Sequence, residues 1–436
     1  MRDFIVLSIV IPAALYAFRH PWVGVMLWTW LSIMNPHRYT YGIAYGAPVA
    51  AVAAIATFSG LLMTKDEKVS PFKGAPVVVF ALFMGWMTVS WLMGLDIKGD
   101  YIQWTKVMKI DLMVLVGLMV LHSKKHVIAL AWVSAGSLAL LGVKGGIFTL
   151  LGGGAERVWG PPGSFIEDNN EFGLALIMTI PIVRFLQLQV RNAWGKRALL
   201  VAMLLCATAA LGTQSRGALL AISAMALLLW WRSRNRFVGG ALILLTSASL
   251  LSFMPESWFN RMHTIDNYQQ DGSALGRLSA WSNAWHLAFD YPFGVGFNAG
   301  RQELFDKYSS APEVGARAAH SIYFQVLGNH GFGGLALFLL FLFLTWRCAS
   351  WLRTHASRIP EAHWCADLGA MVQVSLMGYF VGGAFLSLAY FDLPYDLMIM
   401  VVVARVWVTS KAWTREPVYP PGWRTLPGLL TPPKPG

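Results

Sequence analysis

Charge is scarce in this sequence. Of 436 residues only 13% are Asp, Glu, Lys or Arg, against 56% hydrophobic residues and a mean hydropathy of +0.52, a balance that excludes a soluble globular chain. Cysteine is scarcer, with three in all. Cys206, Cys348 and Cys365 show no CxxC spacing and none falls in the longest polar stretch, so neither a disulfide framework nor a zinc site is expected. A Walker A sequence, HExxH, GxSxG and any His/Cys cluster with metal spacing are missing too. No cofactor or metal ion is therefore expected. The first apolar run lacks a small-residue cleavage site and reads as a retained span, not a signal peptide.

What the chain does have is apolar runs, at roughly 3–18, 21–35, 45–63, 75–95, 107–122, 126–151, 172–190, 198–212, 217–231, 237–253, 320–346, 365–390 and 393–409. About 20 residues cross a bilayer as a helix. The runs are continuously apolar and do not alternate with period two, which predicts a helical bundle and not a barrel. The expected fold is an all-α polytopic membrane protein of about 12 transmembrane helices, since neighbouring runs at either end can merge. Its divisions are transmembrane helices over 1–253, a large external loop with short helices over 254–319, further transmembrane helices over 320–410, and a Pro-rich cytoplasmic tail over 411–436.

The net charge of +12 does not point to nucleic acid. The long polar stretch from Met254 to Ala319 holds five Lys/Arg against seven Asp/Glu. The surplus lies in short loops such as Lys124-Lys125, Arg191 to Arg197, Arg232/Arg234/Arg236 and Arg347 to Arg358, which marks those loops as cytoplasmic. Alternation from them puts the loop after Gly94, the loop from Gly152 to Glu171, the Thr213–Gly217 turn and the long stretch outside. Within that stretch Leu275–Phe289 has helical apolar spacing with Trp281 and Trp285 four apart, and Gln302–Tyr308 is long enough for a second short helix. Arg261, Arg301, Arg317, His263 and His286 fit ordinary loop positions.

Several polar residues fall where a site at the membrane boundary would need them. Arg216, in GTQSRGALL between two apolar runs, fits either a snorkelling arginine or an anion clamp beside Gln214 and Ser215. Arg277, in GRLSAW at the start of the loop helix, can supply a second guanidinium for a diphosphate, with Arg301 as a further candidate. His320 stands between the long loop and the next span, where a neutral imidazole can take a proton from a hydroxyl. His330, deeper in the same run, fits a buried packing role. Asp168 and Asn170, in GPPGSFIEDNNEFG, fit both a helix cap and contacts to sugar hydroxyls. Asp96 and Asp100 imitate an acidic metal pair, with nothing else in support. The charges otherwise lie mainly at interfaces, which counts against a transporter.

Taken in order, these residues carry a resemblance. GxFxxxxN (Gly163, Phe165, Asn170), SRG (Ser215, Arg216, Gly217), GR…W (Gly276, Arg277, Trp281), PxGxG (Pro292, Gly294, Gly296) and HSxYxxxLxxxGxxG (from His320 to Gly334) resemble the O-antigen ligase/polymerase superfamily over about residues 150–340. The opening WTWLSIMNPHRYTYG is similar to its exosortase-associated O-glycosylation ligase branch. The resemblance implies a GT-C-like fold in the bacterial inner membrane and a metal-independent glycosyltransferase facing the periplasm. The donor would be an undecaprenyl-diphosphate-linked glycan and the acceptor lipid A–core oligosaccharide. Arg216 and Arg277 would hold the diphosphate and His320 would act on the acceptor, with Ser321 and Tyr323 beside it. Ser321 stands where many members have Asn, and His330 where many have Glu, so the acceptor side departs from the family pattern.

Overall fold

The computed structural model describes residues 1–233, 235–252, 254–256, 258–259 and 272–415. Arg234, Arg261, His263 and the Pro-rich tail from residue 416 onward lie outside them. Among the described residues all regular structure is helical. Each of the thirteen apolar runs contains a helix. The first ten are α1 (Arg2–Ala17), α2 (Pro21–Met34), α3 (Val49–Met63), α4 (Ala75–Leu92), α5 (Ile97–Val120), α6 (Lys124–Leu151), α7 (Asn169–Gln189), α8 (Ala193–Gly212), α9 (Arg216–Arg232) and α10 (Arg236–Leu251). The long polar stretch holds α11 (Gly272–Asp290) and α12 (Gln302–Tyr308), where the spacing predicts them. After it come α13 (Ile322–His355), α14 (His363–Gly383) and α15 (Asp392–Thr409).

Six of these are long and apolar enough to cross a membrane: α4, α6, α7, α8, α13 with the turn after it, and α14 with the turn before it. Helices α2, α3 and α10 are apolar but shorter. Polar residues set the starts. Ser123, Asp168, Asn192, Ser215 and Ser321 each accept a hydrogen bond from a backbone N–H in the first turn of α6, α7, α8, α9 and α13, pairing amides that the helix leaves unpaired. The centre of the bundle is α7, which is almost wholly buried and packs against α6, α8, α9 and α14. Small residues bring α6 and α8 together: a Cβ on Gly146 would sit 2.3 Å from the carbonyl oxygen of Leu205, the close approach that membrane helices use in place of a hydrophobic drive.

Helix α13 is broken within its third turn. Gly331 has φ 66° and ψ −172°, so the helix stops and restarts there. The segment after α11 fills the break, with the Pro292 carbonyl 2.5 Å from where a Gly331 Cβ would be. The carbonyl of Asn329, released by the break, accepts hydrogen bonds from Val295 N at 2.9 Å and Gly296 N at 3.2 Å. That of His330 accepts from Trp86 Nε1 at 2.8 Å. The Asn329 side chain accepts from Ala299 N and donates to Tyr390 Oη, whose oxygen is also 2.8 Å from His330 Nε2. A buried interruption of this kind persists only when its freed groups find partners.

The expectation that charge is confined to interfaces needs correcting. Asp111 is fully buried in α5, and Asp392 and Asp396 are buried in the first turns of α15, with Ser32 donating to Asp392 at 2.6 Å. They share faces with bulky apolar neighbours, so hydropathy along the sequence does not reveal them.

Candidate functional site

The residues singled out from the sequence gather at one end of the bundle. The link between α8 and α9 is a tight turn in which Gln214 adopts a left-handed φ of 54°. Its Nε2 donates to the carbonyls of Gly154 at 3.2 Å and Ala155 at 3.1 Å. The carbonyl of Thr213 accepts from Asn169 Nδ2 at 2.7 Å, tying this turn to the start of α7. Ser215 Oγ caps α9 by accepting from Ala218 N. Arg216 is thereby the first residue of α9, half-buried, where the helix's own unpaired amides add positive potential.

At the start of α7, Asp168 Oδ1 accepts from the backbone N–H of Asn170 at 2.8 Å and from its side chain at 2.9 Å. Burial works against the charge on Asp168, but hydrogen bonds from Glu171 and Asn170 and the nearby His320 outweigh it and hold the carboxyl below its usual range. One turn on, the nearly buried Glu171 places Oε1 3.9 Å from Nδ1 of His320.

His320 itself has a φ of 42°. A left-handed residue other than glycine costs about 1 kcal/mol or more and persists where its surroundings enforce it. The enforcement is visible on both sides. Before it, the Ala319 carbonyl accepts from Trp281 Nε1 of α11 at 2.7 Å, and Trp281 stacks on Phe324 of α13 at 4.9 Å between ring centres. After it, Ser321 Oγ caps α13 by accepting from Phe324 N at 3.5 Å. Trp281 is thus an anchor. Burial lowers the pKa of His320, the cations Arg277 and Arg317 lower it further, and Asp168 only partly opposes them. Its imidazole is neutral at pH 7 and can accept a proton.

Helix α11 lays Arg277 beside this histidine. The Arg317 side chain crosses Gly276, where an added Cβ would lie 3.4 Å from its Cγ. His320, Arg277, Arg317, Asp168 and Glu171 therefore form one group, and the Asn169–Thr213 bond ties the Arg216 turn to it. Other expected residues have their polar groups engaged within the protein. Arg301 Nη2 donates to Asp100 Oδ2 at 2.9 Å, the same oxygen that accepts from Phe297 N at 2.7 Å. Ser321 is a buried cap, Tyr323 Oη donates to the Phe380 carbonyl at 2.9 Å, and Asp96 caps α5. His330 is fully buried.

Sequence reasoning passed over Glu171 and ranked Arg317 low. Glu171 stands three residues after the helix-capping Asp168, a spacing that puts both on one face, but nothing local says that this face meets residue 320. Chemically, the group offers a neutral base, several guanidiniums and two carboxyls, in a place where a hydroxyl and a polyanion can meet.

Two family models match the chain. Residues 1–191 match a family of unknown function (DUF5935). Residues 201–339 match the family described as O-antigen ligase. No curated protein matches. The second segment contains Arg216, Arg277, Arg301, Arg317, His320, Ser321 and Tyr323, and over it the chain is similar to the O-antigen ligase family.

Proposed function

We propose that this protein is a glycosyltransferase of about twelve membrane spans and GT-C-like architecture. It moves an O-antigen glycan from undecaprenyl diphosphate to lipid A–core oligosaccharide. The observation that carries the reading is His320: a neutral imidazole in an enforced backbone conformation, flanked by guanidiniums, at the mouth of a membrane helix. Arg216 and Arg277 bind the donor diphosphate and stabilise the charge that grows on it as the glycosidic C–O bond breaks. Preorganised cations in a poorly solvated site contribute several kcal/mol to such a step. His320 takes the proton from the acceptor hydroxyl, whose oxygen attacks the anomeric carbon from the face opposite the leaving diphosphate. The anomeric configuration inverts. Asp168 and Glu171, which share a hydrogen bond, offset the positive charge that the imidazole gains. The basic loops at the opposite end of the bundle support a periplasmic site in the inner membrane.

The test is transfer with purified components: lipid-linked glycan and lipid A–core acceptor, with wild type, Arg216→Ala, Arg277→Ala and His320→Ala, in EDTA and without ATP. Covalent transfer by the wild type that disappears in the three variants is expected. Lengthening of the lipid-linked glycan would make the protein a polymerase of the same superfamily. A transporter of lipid-linked sugars draws support from the buried Asp111, Asp392 and Asp396 and the broken α13. Flux of the donor across proteoliposomes with no covalent product would establish that reading instead.

A further inference from the structure

A second group of cations lies on the amino-terminal half of the chain. The turn Pro36–Tyr39 follows α2, and the loop 160–167 precedes α7; Asn35 Nδ2 donates to the Pro162 carbonyl and holds the two together. Three basic side chains converge on them. Lys144 Nζ lies 5.3 Å from the centre of the Tyr39 ring and Lys106 Nζ 3.8 Å from that of Phe165. Arg38 lies over Tyr45 at 5.1 Å, with its Nε 3.7 Å from where a Gly163 Cβ would be. Among the described residues none of the three has a hydrogen-bond or ion-pair partner. Of the nearby carboxylates, Glu167 accepts from Gly163 N and Asp392 from Ser32, and both still attract the charge on Lys106.

Depth makes the grouping informative. Lys144 stands seven residues before the end of α6 and Lys106 nine after the start of α5. At 1.5 Å per residue they are roughly 10 and 14 Å inside the ends of their helices. Lys144 belongs to a helix long and apolar enough to cross a membrane, where a lysine at such a depth without an anionic partner is costly. Around the group, Tyr41, Tyr45 and Trp159 are exposed, as aromatic side chains are at the headgroup level of a bilayer. Cations framed by interfacial aromatics suit a lipid phosphate better than a soluble anion.

We propose that Arg38, Lys106 and Lys144 bind the phosphate on the lipid anchor of the acceptor, entering sideways from the bilayer, at a site separate from the Arg216–Arg277 pair. This rests on the transferase reading for the identity of the lipid, but not for the binding of phosphate. Each lysine donates N–H to phosphate oxygens as a point charge, and Arg38 donates through its fork.

The experiment measures binding to the full-length protein in nanodiscs. The ligands are phosphorylated lipid A–core, the same acceptor stripped of its lipid A phosphates, and phosphatidylglycerol as competitor. Wild type should prefer the phosphorylated acceptor at least about tenfold, the low end for a charge-assisted hydrogen bond. Lys106→Gln/Lys144→Gln should abolish the preference while still binding undecaprenyl diphosphate, which shows that it is folded. Lys106→Arg/Lys144→Arg should keep it. Equal binding of the two acceptors by wild type, or an undiminished preference in the double Gln variant, overturns the proposal. Full competition by phosphatidylglycerol at equal concentration also overturns it, assigning the site to bulk phospholipid. A wild type with the preference but no glycan transfer would keep the phosphate site and remove the transferase reading.

Discussion

Nδ1 of His320 faces Oε1 of Glu171 at 3.9 Å, too far for a hydrogen bond and close enough for the carboxylate to matter to any positive charge on the ring. Glu171 comes from the first turn of α7 and His320 from the residue two before α13. The gap between them therefore reports how the central helix meets the long loop. If the imidazole becomes charged during transfer, the negative charge shared by Glu171 and Asp168 stabilises that state more than the neutral one.

Glu171→Ala should then lower kcat by about 10- to 100-fold, at or below the low end of what a general base itself contributes, and leave the donor KM little changed. Glu171→Gln, which keeps the shape, should retain part of the rate. Single-turnover transfer at saturating donor reads both. An unchanged kcat in a folded Glu171→Ala protein would remove Glu171 from the site.

The pH dependence has a defined sign. Burial, Arg277 and Arg317 all depress the His320 pKa, so the neutral base dominates at pH 7 and is lost only as pH falls through a value below 6.5. Arg317→Gln removes one depressing charge and raises that pKa. The acid limb of the kcat/KM profile should move to higher pH, by a fraction of a unit to about one unit. A shift to lower pH would mean that Arg317 does not act on this histidine.

Arg301 and Asp100 make a nearly buried pair that ties the loop after α11 to α5. Removing one partner of a buried pair typically costs about 3–5 kcal/mol. Asp100→Asn and Arg301→Gln should each lower Tm in detergent, and the double variant should lose less than the sum. If Arg301→Gln instead weakens donor binding with Tm unchanged, Arg301 belongs with the diphosphate.

Gly331→Ala should be among the most damaging small substitutions. The backbone there is left-handed and the new Cβ would meet the Pro292 carbonyl at 2.5 Å. A loss of at least about 2 kcal/mol is expected, combining the strain of the conformation with displacement of the loop. A thermal shift assay on the purified protein measures it. A wild-type Tm would show that the break in α13 closes without cost.

Much of the helical framework was legible because membrane helices announce themselves in one dimension. Apolar runs marked the helices, and the spacing of Trp281 and Trp285 marked α11. The position of Arg216 between two runs and of His320 before another placed both at helix starts. Partners were not legible. Asp100 is separated from Arg301 by 201 residues and Glu171 from His320 by 149, and no local pattern records such a meeting. Ser321 read as an acceptor contact because a capping serine and a binding serine look alike in sequence. The break at Gly331 hides in NHGFGG, where no proline gives notice. Asp111 hides for a different reason: one carboxyl within the apolar run 107–122 scarcely alters its hydropathy.

The filled break in α13 sets what can be exchanged between relatives. Because the segment after α11 supplies N–H groups to Asn329 and a carbonyl against Gly331, the external stretch and the span it enters form one interlocking part. A chimera that grafts only the loop would leave the Asn329 carbonyl facing a foreign backbone. One that carries α11 through the end of α13 keeps the join intact, so acceptor preferences should be swapped at those borders.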